Sequence, residues 1–364
     1  MSAYNNKNEL VSPFLKRTVR CSVCKVLGEH RLFRVHLFAP KEVETDQHVL
    51  SYKWLSENTW QVHPPYFTLY YCMSCFFTDL IDDYCNPTNC KAGAWVIKSF
   101  GRFSGDSNQI VELMGTNIDY EIIDYNTAVT LHGLAAYIQA LAPEDVRDNF
   151  KLGRLFLRLA WLYRERDAEL DLPDGPRVCA DRPFGSFRSL AAFMVEVRKL
   201  WPEAPVTEKE ALALAARHFE AAISADARFD SPKEYGAGVK LLLEVLNRCG
   251  DLDRAYETVR GIYGNAMDLR KKNRDIIMDK DSSERLRKKA EADEKSINQL
   301  AGDAAEFRDN LLNTMIDRDL PQIRAFVQEH SGLPPKILLA KLVQAGFRID
   351  VLRRVAGRVG LVIE

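Results

Sequence analysis

Long apolar runs, an excess of charge of either sign and a recognisable leader segment are all missing from this chain of 364 residues. No stretch approaches the roughly 18 uncharged apolar residues of a membrane-spanning helix, so no membrane span is expected. Residues 1–20 carry neither the apolar run nor the small-residue cleavage site of a secretory signal. The 50 Lys and Arg residues balance 51 Asp and Glu residues, so a global attraction to a polyanion is not expected either.

Common catalytic motifs are also missing. The sequence contains no Gly-x-x-x-x-Gly-Lys-Ser/Thr phosphate-binding loop, no Gly-x-Ser-x-Gly nucleophile elbow and no His-Glu-x-x-His pair. We therefore predict a protein that is not an enzyme, and we assign no catalytic residue.

The cysteines carry the most specific chemical signal in the sequence. Four of the eight cysteines form two pairs, Cys21-x-x-Cys24 and Cys72-x-x-Cys75. A Cys-x-x-Cys turn directs two thiolates at one ion, and two such turns complete the tetrahedron that Zn²⁺ prefers. We predict one structural zinc ion held by these four residues. Because four thiolates leave no open position for water, catalysis at this metal is not expected.

A redox role is the main alternative interpretation of these pairs. A thioredoxin-like Cys-x-x-Cys needs a helix N-terminus directly after a strand, and two widely separated pairs do not follow that pattern. Cysteines in metal-binding pairs fit a reducing compartment better than they fit a disulfide scaffold. The chain is therefore predicted to be cytoplasmic.

The segment Cys85-Asn-Pro-Thr-Asn-Cys90 leaves a second metal site open as an alternative. Such a site would need further ligands, with His30, His36 and His63 as candidates, and nothing in the spacing fixes their geometry. Packing or unengaged thiols are the default interpretation of this segment.

The length and composition predict a globular protein of two or three domains. With 46% hydrophobic and 28% charged residues, the chain can bury a core. Residues 1–115 are rich in aromatic and β-branched residues and hold six of the eight cysteines. They are predicted to form a small β-containing, zinc-ribbon-like module, with strands over 31–38 and 66–71.

From residue 116 the apolar spacing becomes helical. A proline- and glycine-rich stretch near 168–206 is predicted to be an insertion that contains one short helix. Thr207-Glu-Lys-Glu210 is predicted to be a capping box, in which the hydroxyl and the carboxylate each satisfy a free amide. Helices are predicted over 128–141, 151–167, 190–200, 239–249 and 251–267, and one more is predicted to follow Thr207.

A weak internal repeat links two of these helices. Residues 162–167 match residues 246–251 in place and kind, each at the end of a leucine-rich helix. Helical hairpins with this ending resemble tetratricopeptide units. Residues 116–267 are therefore predicted to form a tetratricopeptide-like helical domain, interrupted by the insertion. Residues 268–364 are predicted to form a charged, solvated helix over 268–296 and a small C-terminal helical region.

Three stretches carry a resemblance to a bacterial family. They are Cys21-Ser-Val-Cys24, the run from His63-Pro-Pro-Tyr66 into Tyr71-Cys72-Met-Ser-Cys75, and Leu155-Phe-Leu-Arg-Leu-Ala-Trp-Leu-Tyr-Arg-Glu165. They resemble the family known as domain of unknown function 2225, and the Trp161-centred stretch is the most specific. The resemblance covers about residues 20–265. It implies a zinc-ribbon-like module followed by tetratricopeptide-like helices, and the family has no established activity to carry over.

The chain departs from the family pattern at both cysteine turns. Family turns usually read Cys-Pro-x-Cys-Gly. Here Ser22 and Met73 stand at the proline positions, and Lys25 and Phe76 stand at the glycine positions. The two metal turns are therefore expected to be less regular than those of the family.

Taken together, the sequence favours a non-enzymatic zinc-containing adaptor or scaffold that binds a protein of unspecified identity through its helical hairpins. The alternative is a nucleic-acid-associated protein that uses the zinc module. An enzyme that matches no known motif ranks lowest. Within residues 1–115, Trp54, Trp60 and Trp95 accompany a mild excess of basic residues, which are Lys16, Arg17, Arg20, Arg31, Arg34, Lys91, Lys98 and Arg102. A contiguous basic face on the module would favour nucleic acid, and a mixed face would favour protein.

Overall fold

The computed structural model describes residues 11–89, 91–100, 106–168, 182–224, 232–279, 282–359 and 361. Contacts between Cα atoms divide the chain into two compact units, Met1–Asp226 and Ala227–Glu364.

The first unit begins with three antiparallel β-hairpins, each of which pairs only its own two strands. β1 pairs with β2, β3 with β4, and β5 with β6. The strands are β1 Phe14–Arg20, β2 Leu27–Phe33, β3 Phe38–Val43, β4 Val49–Trp54, β5 Leu69–Tyr71 and β6 Thr78–Leu80.

Both predicted strands are wrong in their bounds. A turn of 3₁₀-helix over Val35–Leu37 interrupts the predicted strand 31–38, because the chain leaves the first hairpin there and enters the second. Another turn of 3₁₀-helix over Pro64–Phe67 replaces the first two residues of the predicted strand 66–71, and the strand begins at Leu69. The two prolines that open this turn have no amide hydrogen to donate to a strand ladder.

Seven helices complete the first unit within the part of the chain that the structure describes. They are α1 Ile81–Cys85, α2 Lys91–Ser99, α3 Asp106–Thr116, α4 Tyr125–Ala140, α5 Asn149–Asp167, α6 Leu190–Leu200 and α7 Glu208–Ser224. The centre is α4, whose residues 125–139 are all buried, including the polar residues Asn126, His132 and Gln139. It packs against α5, and α5 packs in turn against α7. Gly153 allows the closest approach of α5 and α7, since a Cβ atom there would lie 2.7 Å from the Phe219 ring.

Side-chain caps set the starts of these helices. Asp124 and Asp148 accept hydrogen bonds from the amides of Thr127 (2.9 Å) and Lys151 (3.0 Å), and α4 and α5 begin there, two or three residues before the predicted starts. The capping box at α7 is confirmed in part. The Thr207 hydroxyl accepts from the Glu210 amide (3.3 Å), but the Glu210 carboxylate accepts from the Val206 amide (2.9 Å) instead of that of Thr207.

The regular secondary structure of the second unit is all helical among its described residues. Its helices are α8 Pro232–Cys249, α9 Leu252–Met278, α10 Glu284–Glu329, α11 Pro335–Gln344 and α12 Ile349–Val359. The predicted break between α8 and α9 is confirmed: Gly250 has a φ of +74° and the Asp251 side chain caps α9. The prediction of one helix over 268–296 is wrong. Helix α9 ends at Met278, and α10, which Ser283 caps, begins at Glu284.

The predicted fold class, mostly α with a small β-containing N-terminal region, is confirmed. The predicted domain boundaries do not coincide with the two units. The boundary at 115/116 lies inside the first unit, and that at 267/268 lies inside α9. The tetratricopeptide-like arrangement stays a prediction. Among the described helices, none is long and apolar enough to cross a membrane.

Candidate metal centre and a buried charge cluster

The structure brings the four predicted metal ligands together. The Sγ atoms of Cys21, Cys24, Cys72 and Cys75 all lie within 4.8 Å of one another. Cys21 Sγ is 3.7 Å from Cys75 Sγ, and Cys24 Sγ is 3.5 Å from Cys72 Sγ. A tetrahedron with Zn–S bonds of about 2.3 Å has sulfur atoms about 3.8 Å apart. The cluster therefore has the size of a four-thiolate metal site and can hold one ion.

Two β-hairpins hold these cysteines in the same way. Cys21 directly follows β1 and Cys72 directly follows β5. In each turn the amide of the first cysteine donates to the carbonyl five residues on, at Val26 (2.9 Å) and Phe77 (2.9 Å). The carbonyl of that cysteine accepts from the amide four residues on (3.0 Å and 2.7 Å). The two turns therefore make the same backbone hydrogen bonds, and the expectation that they are less regular than those of the family stays a prediction.

One position in each cysteine turn carries backbone strain. Lys25 and Phe76, which stand where the family has glycine, have φ values of 66° and 62°. This left-handed region suits glycine, and other residues enter it at a cost. At the other position that departs from the pattern, the Ser22 hydroxyl donates to the Tyr84 carbonyl (2.9 Å) and ties the first turn to α1.

Hydrogen bonds among the thiols shift their pKa values in opposite directions. Hydrogen bonds from Cys72 and Cys75 to the Cys21 thiolate hold the pKa of Cys21 far below its usual range. The same hydrogen bonds raise the pKa of Cys72 to about 11 and also raise that of Cys75. A coordinated ion would replace these shared protons, because metal binding deprotonates all the thiols that ligate it.

The candidates for a second metal site do not come together. Cys85 belongs to no cluster of potential ligands among the described residues, and Cys90 lies outside those residues. His30 contacts the Tyr120 hydroxyl, His36 is exposed, and His63 contacts a carboxylate of α5.

That carboxylate belongs to Glu165, which anchors a buried charge cluster that the sequence did not reveal. Its Oε1 atom lies 2.9 Å from both His48 Nε2 and His63 Nε2. The other ring nitrogen of His48 lies 2.9 Å from Glu44 Oε2. Glu165, His48 and His63 are each at most 2% exposed. Burial alone would raise the pKa of Glu165, but the two imidazoles outweigh it and hold the pKa below its usual value.

Arg164, the neighbour of Glu165 on α5, extends the cluster. Its guanidinium pairs with Asp46 (2.9 Å), with Glu208 (2.6 Å) and with Glu44. Burial lowers the pKa of Arg164, but these carboxylates raise it above its ordinary value, so the charge persists. Trp161 Nε1 donates to Asp46 (3.2 Å), and the Trp161 ring stacks on His48.

The cluster therefore joins the β3–β4 hairpin, and the segment before β5, to the end of α5. Three side chains of the Trp161-centred stretch, Trp161, Arg164 and Glu165, hold the β3–β4 hairpin. The sequence signal was a carboxylate in the otherwise apolar stripe of α5. It pointed to a buried partner but could not identify His48 and His63, which lie more than a hundred residues away.

Comparison with known protein families identifies a match. The sequence model of a family described as "Uncharacterized protein conserved in bacteria (DUF2225)" matches residues 14–284. The matched region contains both cysteine turns and the whole charge cluster, and it confirms the predicted resemblance. No curated protein and no solved structure matches the chain.

Proposed function

The chain belongs to the DUF2225 family of bacterial proteins, and on that premise we propose that it is a non-enzymatic, zinc-containing adaptor that binds another protein through its helices. The spacing of the four cysteine sulfur atoms carries the proposal. A site filled by four thiolates holds a fold together and leaves no position for a substrate. We place the protein in the cytoplasm, a reducing compartment that keeps such thiolates available.

Zinc is our choice of metal, with Cys21, Cys24, Cys72 and Cys75 as its ligands. Soft thiolates in a tetrahedron favour zinc or iron over harder cations. Elemental analysis of the purified protein distinguishes the two, and zinc leaves the protein colourless whereas iron held by four thiolates does not. Iron as the bound metal would overturn the zinc assignment.

Support for protein binding comes from α9, which exposes large apolar side chains. Met267 and Met278 are 38% and 82% exposed. They are eleven residues apart, close to three helical turns, and therefore share a face. Methionine adapts its flexible side chain to varied partners, and such residues are frequent on protein-binding helices.

The test uses two double variants of the full chain as bait and compares the partner proteins that each captures from an extract of the native cell. Met267→Lys with Met278→Lys changes the α9 face, whereas Arg17→Glu with Arg20→Glu changes only β1. We expect the first pair to abolish capture and the second pair to retain it. Capture that survives the α9 changes would contradict binding through this helix.

A second candidate function has one observation in its favour. The β1–β2 hairpin exposes basic side chains at Lys16, Arg17, Arg20 and Lys25, and the exposed carboxylate among them is Glu29, which pairs with Lys16 at 3.1 Å. A basic surface of this kind is expected of a nucleic-acid-associated protein.

Fluorescence anisotropy with labelled duplex DNA and single-stranded RNA tests this alternative. Phosphate contacts weaken steeply between about 50 mM and 200 mM salt. Binding that persists at the higher salt concentration and is lost in Arg17→Glu with Arg20→Glu would replace the adaptor proposal with the nucleic-acid one.

A further inference from the structure

The helices α11 and α12 of the second unit form a helix–turn–helix. Residues 345–348 join the end of α11 at Gln344 to the start of α12 at Ile349. Gly346 permits this short turn, because its φ of +96° lies in the region that glycine favours. The amides of Gly346 and Phe347 donate to carbonyls of α11, at 3.0 Å and 3.1 Å. Both helices pack against α10. A turn of three or four residues that contains glycine is typical of DNA-binding helix–turn–helix units.

Basic residues are concentrated in this part of the chain. Residues 331–364 contain six Lys and Arg residues and two Asp and Glu residues, whereas the totals for the whole chain are 50 and 51. The helix α12 alone contains three arginines and one carboxylate. A local excess of positive charge attracts a polyanion even when the charge of the whole chain is balanced.

Two of these cations are held by carboxylates of the same unit. Arg354 pairs with Asp309 at 2.9 Å. Arg348, which precedes α12, pairs with Glu257 and, at 3.5 Å, with Asp253. These two arginines attach α12 to the rest of the unit and are not free for a ligand.

Two other arginines of α12 are available to a ligand. The Arg353 side chain is 62% exposed, and its ion pair with Asp350 is 3.9 Å long, so the pair contributes little. Asp350 also accepts a hydrogen bond from the Tyr256 hydroxyl, at 2.9 Å. Arg358 is exposed and makes no ion pair with any residue that the structure describes.

The outer face of α12 is small as well as basic. The buried face of the helix consists of Val351, Leu352 and Val355. On the other side, Ile349, Arg353 and Gly357 follow one another at a spacing of four residues and are exposed. A Cβ atom at Gly357 would have no atom within 4 Å, so no described residue covers the helix there. The major groove of DNA, about 12 Å wide, admits an α-helix, and a glycine on the outer face lets the helix approach closely.

We propose that α12 binds duplex DNA in the major groove, with Gly357 against the floor of the groove and with Arg353 and Arg358 on phosphates of its walls. An acidic protein segment would pair with the same arginines, but it would not require the close approach at Gly357. This site does not depend on the adaptor proposal, since Met267 and Met278 of α9 take no part in it. It is also separate from the basic residues of β1.

Fluorescence anisotropy of the full metal-loaded chain with a labelled duplex tests the proposal. Arg353→Glu with Arg358→Glu should weaken binding at least about tenfold and reduce the slope of affinity against salt by about two, one for each lost phosphate contact. Arg274→Glu with Arg285→Glu makes the same change of charge at exposed residues of α9 and α10. This control should leave the affinity nearly unchanged, because salt screens charges outside the contact.

A second pair of variants tests the close approach without any change of charge. Gly357→Leu should weaken binding at least about fivefold, because the side chain holds the helix away from the groove. The free protein accommodates this side chain, and leucine favours a helix more than glycine does. Gly302→Leu is the matched control, at an exposed glycine of α10 that also has open space around it, and should leave binding unchanged. Thermal unfolding of each variant verifies that it is folded.

Further arms of the same experiment identify the ligand and the site. Arg17→Glu with Arg20→Glu should retain binding, which separates α12 from β1. The proposal is overturned if the duplex does not bind at about 50 mM salt, if the two arginine pairs behave alike, or if Gly357→Leu binds as well as the unchanged protein. Equal affinity for single-stranded DNA would also overturn it. A polyglutamate peptide that binds as tightly as the duplex would overturn it in favour of an acidic protein segment.

Discussion

Lys25 and Phe76 occupy equivalent positions in the two cysteine turns, and both carry a side chain where the backbone favours glycine. Lys25→Gly removes a cost of about 1–2 kcal/mol for the left-handed conformation and adds about 0.4–1 kcal/mol of entropy to the unfolded chain. We expect it to raise the free energy of unfolding by about 0.5–1 kcal/mol. Urea unfolding of the metal-loaded protein measures the difference.

Phe76→Gly is the informative comparison. The Phe76 ring stacks on Tyr71 and lies so close to Gly115 that a Cβ atom there would be 2.3 Å from it. Loss of this packing outweighs the relief of strain, so we expect a net destabilisation of about 1–3 kcal/mol. Equal effects of the two substitutions would show that backbone strain, and not packing, dominates at both turns.

His132 makes the stability of the protein depend on pH. Burial lowers its pKa to about 3, whereas a histidine in the unfolded chain titrates near 6.5. Between these two pKa values, His132 is therefore protonated in the unfolded state and neutral in the folded state. This contribution to stability is complete above pH 6.5 and is lost as the pH falls towards 3, by about 2 kcal/mol at pH 5.

His132→Gln should reduce the loss in the free energy of unfolding between pH 7.5 and pH 5 by about 2 kcal/mol, because glutamine does not titrate. Free energies of unfolding from urea titrations at several pH values provide the measurement. The same substitution at the exposed His36 is the control and should leave the slope as in the unchanged protein. An unaltered slope in His132→Gln would contradict the assignment.

At the scale of elements, the charge cluster fastens the β3–β4 hairpin to α5. Glu165→Gln removes the carboxylate that faces both imidazoles, and we expect a loss of about 3 kcal/mol, in the range for breaking a buried ion pair. Glu208→Gln changes a carboxylate of the same cluster whose side chain is 29% exposed, and should cost less than about 1 kcal/mol. Thermal unfolding of both variants tests the difference, and similar losses would mean that burial does not decide the strength of the cluster.

Helices α4 to α9 were predictable from the sequence, whereas the strands and the helices α1, α2 and α3 were not. Apolar spacing located α4, α5, α6, α8 and α9. Side-chain caps account for the shifts of two or three residues at the starts of α4 and α5, whereas α8 begins at Pro232, seven residues before its predicted start. The β-hairpins are short and each pairs only with itself, so local alternation was a weak signal there. The break between α9 and α10 was missed because a charged sequence on both sides of it hides the change of helix.

The sequence also predicted only part of the candidate sites. The cysteine spacing alone predicted which four sulfur atoms meet, because a Cys-x-x-Cys turn fixes its own geometry. The histidines around Glu165 carry no such local pattern. They meet through tertiary packing of segments 117 and 102 residues apart, which a single sequence does not encode in any spacing.

For the whole molecule, we expect about one zinc per chain, as a single four-thiolate site requires. Cys72→Ser should remove the metal and destabilise the first unit, since metal binding supplies folding free energy. Cys249→Ser, the same chemical change in α8, should keep the zinc. Elemental analysis after dialysis is the measurement. Near-zero zinc in the unchanged protein, purified under reducing conditions, would contradict the site, and two ions per chain would restore Cys85 and Cys90 as candidates.

Limited proteolysis of Cys72→Ser also decides the domain boundary. A surviving helical fragment that begins near residue 116 would support the boundary predicted from the sequence. A fragment that begins near residue 227 would support the division into Met1–Asp226 and Ala227–Glu364. We expect the latter, because α5 shares the charge cluster with the β-hairpins.

The separation between the two clusters along the chain sets an order of events during synthesis. The cysteines that meet lie 54 residues apart, whereas His48 and Glu165 lie 117 apart. A ribosome that adds about 5–20 residues per second completes Cys75 roughly 5–18 s before it reaches Glu165. The nascent chain can thus capture its metal while the buried carboxylate has yet to be made.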